Sequence, residues 1–439
     1  MPGRRKISAK IFKRPQGKAG AATLKVHAAG RAGSLSPASG LGILLLEGIH
    51  PSAEEAFRLA GMGPVRKESG SVAEDQLIEM MQGAHILGIR SKTRISGRVL
   101  DSAPHLLAVG CFCIGTDQVD LDAASRRGVA VFNAPFSNTR SVAELTIAEV
   151  VMLARRAAQR SMELHRGRWE KSSKGCVEVR RKTIGIVGYG HIGPQVGLLA
   201  ESLGMRVVFH DILKKLPLGN ARQVSGLDEL LQMSDFVTLH VPDTPLTRNM
   251  IGRRELGLMS KGSYLLNLSR GSVVDIAALR DALVRGRLAG AAVDVFPVEP
   301  SSSRDPFHSE LCGLDNVILT PHIGGSTEEA QKNIGLEVSE ALIAYASTGS
   351  TTNCVNLPEV HLPPLEDSYR VLNIHRDVPG VLSRINGLIA GMGVNIKAQT
   401  YNTRNGVGYL IMDVERRLSR DIGGQIESLD TNIRTRLLF

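Results

Sequence analysis

The sequence predicts an α/β protein made of two doubly wound parallel-sheet units and a smaller C-terminal unit. Three observations predict it. Short apolar runs alternate with helical segments over residues 42–345. A Gly-x-Gly-x-x-Gly string directly follows one of those runs. The pattern then changes past a proline cluster at Pro358, Pro363 and Pro364. Apolar runs of this length are how strands read when helices cover both faces of their sheet. Their regular alternation with helices gives parallel sheets.

In the first unit the runs are 43–46, 86–89, 106–109 and 129–132; in the second they are 184–187, 207–209, 236–240, 264–268, 291–296 and 317–319. Between them, residues 141–167 form a long helical pattern without internal Gly or Pro, expected to bridge the units. A further helix over 327–345 is expected to pack back on the first unit and make it discontinuous. The division that follows is a basic tail at 1–40, a flavodoxin-like unit from 41–137 and 325–366, a Rossmann-type unit at 138–324, and a C-terminal unit at 368–439. In the last, strands at 371–375, 394–401, 407–414 and 432–438 and helices at 380–392 and about 420–429 give the order βαββαβ, a ferredoxin-like plait. It is too small and too poor in catalytic groups for a second enzyme, and fits a ligand-sensing or dimerising module.

Composition narrows the classes. The net charge of +10 is concentrated in the tail: residues 1–46 hold nine Lys/Arg and no acid, which leaves the remainder near neutral. That argues against a nucleic-acid or membrane-surface protein. The tail fits a disordered extension, or alternatively an organelle transit peptide, being basic, Ser-containing and free of acids. No run reaches the ~18 apolar residues of a membrane span, so the expectation is a soluble, cytoplasmic protein unless the tail redirects it. Five cysteines with no C-x-x-C pair read as reduced thiols of an intracellular protein, and no metal site is expected.

The fingerprint Gly188-Tyr189-Gly190-His191-Ile192-Gly193 follows the strand at 184–187 and opens a helix. Its glycines permit a tight turn, close approach of a pyrophosphate and close helix–strand packing. Pro194 costs a helical hydrogen bond if the helix starts late. The next strand ends at His210-Asp211, and Asp211 can accept from ribose hydroxyls while repelling a 2′-phosphate, which predicts NAD over NADP. Three further motifs, each after a strand, bring Arg270 (Leu268-Ser269-Arg270-Gly271), Glu299 (Asp294-Val295-Phe296-Pro297-Val298-Glu299-Pro300) and His322 (Pro321-His322-Ile323-Gly324-Gly325) to the C-terminal edge of the sheet. Alone, each reads equally as a solvated loop residue. Together they supply a fork for a carboxylate, a proton acceptor and a carboxylate to tune it: the parts of a hydride-transfer site.

These motifs together resemble the D-isomer-specific 2-hydroxyacid dehydrogenases. Cys111-Phe112-Cys113-Ile114-Gly115-Thr116 and Phe136-Ser137-Asn138-Thr139-Arg140-Ser141-Val142-Ala143-Glu144 resemble the branch acting on 3-phospho-D-glycerate, in its short form with a C-terminal ACT domain. The resemblance spans residues 42–439 and leaves out the tail. It implies NAD-dependent oxidation of 3-phospho-D-glycerate to 3-phosphohydroxypyruvate, the first step of phosphorylated L-serine synthesis, with reduction of 2-oxoglutarate to 2-hydroxyglutarate as an accompanying activity. Matched motif by motif, it makes His322 the acid/base, Glu299 its partner and Arg270 the substrate anchor. It sets Gly188, Gly190, His191, Ile192, Gly193, Asp211, His240, Leu268, Ser269, Asp294, Gly324 and Gly325 around NAD.

For the substrate the resemblance implies Arg90, Ser91, Lys92 and Asn138, with Lys171, just past the sole tryptophan Trp169, reaching across a homo-oligomer, a dimer or tetramer. An L-serine effector is implied at His375, Asp377 and Asn395. Asp377 stands where the pattern has asparagine, and its charge would repel a carboxylate, so weak serine binding at best is expected. Two other readings remain open: a dehydrogenase of another 2-hydroxy acid, and an NAD-sensing interaction protein like the corepressors of the same superfamily.

Overall fold

The computed structural model describes residues 40–300, 305–363, 367–415 and 421–438. The basic tail before residue 40 and residues 364–366 of the linker lie outside the described residues.

The first sheet comprises β1 (Ile43–Leu45), β2 (Val65–Lys67), β3 (Ile86–Ile89), β4 (Ala108–Cys111) and β5 (Ala130–Phe132), in the order β2-β1-β3-β4-β5 with every pair parallel. This is the flavodoxin-like order. β2 has no apolar run to betray it: its residues are half-exposed or exposed, as suits a sheet edge.

The second sheet comprises β6 (Thr183–Val187), β7 (Arg206–His210), β8 (Arg222–Gln223), β9 (Phe236–Leu239), β10 (Tyr264–Asn267), β11 (Gly290–Val293) and β12 (Val317–Leu319), ordered β12-β11-β10-β9-β6-β7-β8. The order reverses beside β6, so a crevice opens outside the carboxyl ends of β6 and β9, where such sheets bind ligands. The two-residue edge strand β8 was not legible in the sequence, and the expected strand ends at 240, 268 and 296 lie one to three residues past the observed ones. Those extra residues are the loops that carry the site.

The bridging segment differs from expectation. It is two helices, Thr139–Arg155 and Ala157–His165, separated at Arg156, which sits in the left-handed region at φ 54°. The first buries a full face against the second sheet, whereas the second buries no residue. Helical periodicity continued through 156 because nothing there breaks a helix by composition; the loss of a packing partner ends it instead. The helix Glu328–Thr348 returns to the first unit: Ile334, Val338, Leu342 and Tyr345 share a core with Ile43, Phe57, Phe112 and Phe132.

At the C-terminus, β13 (Ser368–Arg376), β14 (Ile396–Arg404), β15 (Val407–Glu415) and β16 (Asn432–Leu438) form an antiparallel sheet ordered β14-β15-β13-β16, with helices Val381–Gly391 and Asp421–Glu427. This is the ferredoxin-like plait. One sheet face joins the first unit's core through Leu372, Ile374, Tyr409 and Ile411. Arg370 ties the same junction by a buried two-pronged pair with Asp413 (2.6 and 2.7 Å), and donates to the carbonyls of Thr348, Leu362 and Pro363.

Candidate active site

The fingerprint turn is built as its glycines require. Gly188 has φ +91°, and a Cβ there would collide with the His240 carbonyl; one at Gly193 would lie 2.5 Å from the Gly188 carbonyl. A Cβ at Gly190 meets nothing within 4 Å, so the turn presents bare backbone toward open space. The helix Ile192–Ser202 starts just after it, which puts Pro194 in the first turn, where the missing N–H has no intrahelical partner to lose. At the end of β7, the Asp211 carboxylate accepts from the Tyr189 N–H (2.8 Å) and the Leu213 N–H (2.9 Å). These bonds fix it at the crevice with lone pairs left for a diol. Bare backbone at a helix N-terminus and a fixed acid one strand away fit a dinucleotide.

The His322 loop is organised by a buried carboxylate. Asp294, 1 % exposed, accepts from Thr320 Oγ1 (2.6 Å), the Ile323 N–H (2.8 Å) and the Gly324 N–H (2.9 Å), while its carbonyl takes the His322 N–H (2.8 Å). The loop thereby holds His322 at φ 54°, unusual for a residue with a side chain. His322 Nδ1 lies 2.8 Å from Glu299 Oε2, and Glu299 Oε1 accepts the Phe296 N–H at 3.1 Å. That hydrogen bond raises the His322 pKa above 6.5 against the opposing effect of burial. For Glu299, burial alone would raise the carboxyl, but the His322 bond and charge, the Phe296 N–H and Arg270 bring it below 4.5.

Arg270 is set by the turn after β10. Buried Asn267 accepts from the Ser269 N–H and hydroxyl and donates to the Arg270 carbonyl (3.0 Å). A Cβ at Gly271 would strike the backbone of Phe296, so the Arg270 and Glu299 loops pack directly together. The guanidinium donates to the Ser269 carbonyl (2.8 Å) and reaches the first unit, where Nε lies 3.4 Å from Asp117 Oδ2.

The first unit presents Arg90-Ser91-Lys92 at the end of β3. Glu47, itself at φ 60° after β1, grips this loop by accepting the N–H groups of Lys92 (3.0 Å) and Thr93 (2.8 Å). Gln118 donates to the Arg90 carbonyl at 2.6 Å. Arg90 and Arg270 both act electrostatically on Cys113, whose thiol burial pushes up to about 11. The two cations therefore converge on one neighbourhood, and the thiol there is a packing group rather than a nucleophile.

The remaining candidates fall elsewhere. Asn138 Nδ2 sits against Gly325, so these two mark where the chain crosses between units; Ser141 and Thr327 hydroxyls meet beside them at 3.0 Å. His240, with its Nε2 3.0 Å from the Thr238 hydroxyl and Nδ1 enclosed without a partner, is pushed down to about 3 by burial and stays neutral. Lys171 lies with Trp169 (80 % exposed) on the arm beyond Ala157–His165.

The three effector candidates are not brought together in one chain. His375 and Asp377 are at one end of β13, where Arg376 pairs with Val407; Asn395 is at the other, bonded to Glu415, which pairs with Ser368. Seven strand residues separate the ends, roughly 23 Å at about 3.3 Å each. Sequence reading also missed Glu47, Gly115, Asp117 and Gln118. The available signals were that Gly115 belongs to the Cys111–Thr116 motif and that Asp117 follows it just past a strand end.

Sheet order, crevice and loop chemistry define an NAD-dependent dehydrogenase of D-2-hydroxy acids. Residues 147–324 match the family described as D-isomer specific 2-hydroxyacid dehydrogenase, NAD binding domain, and residues 372–434 match the AHAS small subunit-like ACT domain. The chain is 53% identical over 400 residues to D-3-phosphoglycerate dehydrogenase of Escherichia coli K12, covering 90% of this chain and 97% of that one. It is 50% identical over 403 residues to D-3-phosphoglycerate dehydrogenase of Dictyostelium discoideum (92% and 98%). Among solved structures, the TT0316 protein of Thermus thermophilus superposes with a TM-score of 0.63 at 32% identity, over 69% of this chain and 96% of that one. D-lactate dehydrogenase of Aquifex aeolicus, complexed with NAD and lactic acid, gives 0.61 at 29% (69% and 95%). The chain belongs to the D-3-phosphoglycerate dehydrogenase family. No helix among the described residues is long and apolar enough to cross a membrane.

Proposed function

We propose that this chain oxidises the C2 hydroxyl of 3-phospho-D-glycerate to the ketone of 3-phosphohydroxypyruvate, using NAD, as the entry step of phosphorylated L-serine synthesis. The observation that carries the reading is the 2.8 Å His322–Glu299 pair, beside Arg270, which converges with Arg90 on Cys113. Glu299 accepts a hydrogen bond from Nδ1–H, which holds that proton on the ring and leaves Nε2 free to accept the proton of the C2 hydroxyl. Arg270 holds the C1 carboxylate and steadies the growing carbonyl, and Arg90 and Lys92 hold the phosphate. NAD, when bound, supplies the acceptor for the C2 hydride. The backbone of Gly188–Gly193, with His191 and Ile192, would hold its diphosphate and Asp211 its ribose; His240, Leu268, Ser269, Gly324 and Gly325 would border the nicotinamide end.

The test is a steady-state assay with phosphohydroxypyruvate and NADH, with and without serine. His322→Ala should abolish turnover; near-wild-type activity would overturn the mechanism. Reduction of 2-oxoglutarate is a second reading of the same site, its distal carboxylate replacing the phosphate at Arg90 and Lys92. Comparing kcat/KM across a panel separates the two, and Lys92→Glu should collapse the phosphate preference. Absence of turnover on every member, with tight NADH binding, would favour the NAD-sensing reading instead.

Assembly into a homo-oligomer is supported by the helix Ala157–His165, which buries no residue fully, and by exposed Trp169 (80 %) and Leu164 (55 %) on the same arm. Lys171 would reach a neighbouring site from there. An effector site using His375, Asp377 and Asn395 together needs two copies of the chain, given their separation. Asp377 also accepts from the Tyr401 hydroxyl at 3.2 Å, so its charge faces any incoming carboxylate. Serine titrated calorimetrically should bind weakly; micromolar affinity would refute this.

A further inference from the structure

Glu149 is a buried acid that the reaction above does not use. It lies on the inner face of the helix Thr139–Arg155, which packs along β10, β11 and β12. That face begins with Val142 beside Gly324 of the His322 loop and ends with Leu153 beside Gly290 at the start of β11. Glu149 is 1 % exposed, and neither of its carboxyl oxygens has a hydrogen-bond partner. An ionised carboxylate in that setting is among the costliest things a protein can bury. An apolar residue would fill the same place without cost.

The charge that acts on Glu149 is Asp294, also 1 % exposed. A second buried negative charge there is costly, so Glu149 carries a proton. Hydrogen bonding agrees. Asp294 accepts three donors shared over both oxygens, the pattern of a carboxylate, whereas Glu149 accepts none. Burial and Asp294 accordingly push the Glu149 carboxyl up to about 8. Of the titratable groups on the elements packed against this helix (Tyr264 on β10, Glu201 on Ile192–Ser202, Arg160 and Glu163 on the next helix, His322 past β12), none acts on Glu149 as Asp294 does.

We propose that Glu149 is a positioning residue which, by keeping its proton, holds the ground behind the His322 loop at a single negative charge. Asp294 then keeps its three bonds to residues 320–324. When Glu149 loses its proton at alkaline pH, a second charge appears behind Asp294, the loop that holds His322 at φ 54° loosens, and turnover falls. The inference rests on the reading of His322 as the acid/base.

The experiment is kcat against pH in the oxidative direction, from pH 6.5 to 10, on the full-length wild type and Glu149→Gln. Oxidation needs neutral His322, so its own titration gives only a rising limb; a fall at higher pH needs another group. Wild type should rise and then fall about tenfold per pH unit, while Glu149→Gln, of the same shape but unable to ionise, should rise and stay level. Glu149→Leu, if folded by circular dichroism, should behave like Gln. An alkaline fall that survives in Glu149→Gln, or a wild type with no fall, overturns the inference. Absence of any wild-type oxidation would instead overturn the proposed reaction.

Discussion

Arg270 and Asp117 meet at 3.4 Å across the boundary between the NAD-binding unit and the first unit. The geometry leaves no room beside them: a Cβ at Gly115 would stand 2.7 Å from Arg270 Nη2 and 3.2 Å from Asp117 Oδ2. Gly115→Ala must therefore move the tip of Arg270, which is flexible and can yield at little cost in stability. The fork then leaves the place from which, on the proposed reaction, it would hold the substrate carboxylate. A charge-assisted hydrogen bond contributes about 1.5–3 kcal/mol, so KM for the hydroxy acid should rise roughly tenfold or more while Tm barely shifts. Unchanged KM in steady-state kinetics would remove Arg270 from the anchoring role.

Replacing Glu299 by Gln should shift the pH response in a defined direction. The hydrogen bond to Glu299 is the chief cause of the raised His322 pKa, so the variant brings it back toward 6.5. Oxidation requires neutral imidazole, and its rising limb should move to lower pH. Reduction requires imidazolium, and its falling limb should move the same way, slowing NADH consumption at pH 8. Stability follows the same linkage. The raised His322 value contributes stability that is full below 6.5 and lost as pH rises through the folded pKa; the lowered Glu299 value contributes stability present above 4.5 and lost as pH falls through its folded pKa. Tm should drop most where both are charged. Loss of ring orientation should lower kcat by about a hundredfold.

Asp211 should set the choice of dinucleotide. Its carboxylate is pinned by the Tyr189 and Leu213 N–H groups and cannot swing away from a 2′-phosphate. Like charges forced together cost several kcal/mol, so Asp211→Ala should raise the NADP-to-NAD ratio of kcat/KM by about tenfold or more. A ratio that does not move would mean that the loop after β7, with exposed Ile212 and Leu216, discriminates by shape.

What the sequence revealed and what it hid divide along physical lines. Strands buried on both faces advertise themselves as apolar runs, so β1, β3 and β6 were readable, while β2 and β8 at sheet edges were not. Arg270, Glu299 and His322 were readable because each follows such a run. Asp117 and Glu47 were hidden because their partners, Arg270 and the Lys92–Thr93 backbone, lie 45 to 153 positions away in sequence, and no local pattern records a contact over such a distance. Asp294 was read as a neighbour of NAD; the structure shows both its oxygens bonded to the His322 loop. The break at Arg156 was invisible for another reason: it arises where packing stops, not where composition changes.

Arg370 and Asp413 give a stability prediction at the junction of the C-terminal unit. Their side chains are 5 and 1 % exposed, and the guanidinium also satisfies three carbonyls of the segments that lead into this unit. Arg370→Met strands a buried carboxylate and should cost about 3–5 kcal/mol, read as a fall in Tm and in the denaturation midpoint. Asp413→Leu added to it removes the stranded charge, and an apolar pair of similar volume is often as stable as the ion pair it replaces. The double variant should therefore regain part of the loss, though not all, because the carbonyls of Thr348, Leu362 and Pro363 still lack a donor. A double variant no more stable than Arg370→Met would place the whole loss in those three carbonyls, making Arg370 chiefly a clamp on the linker rather than a partner for Asp413.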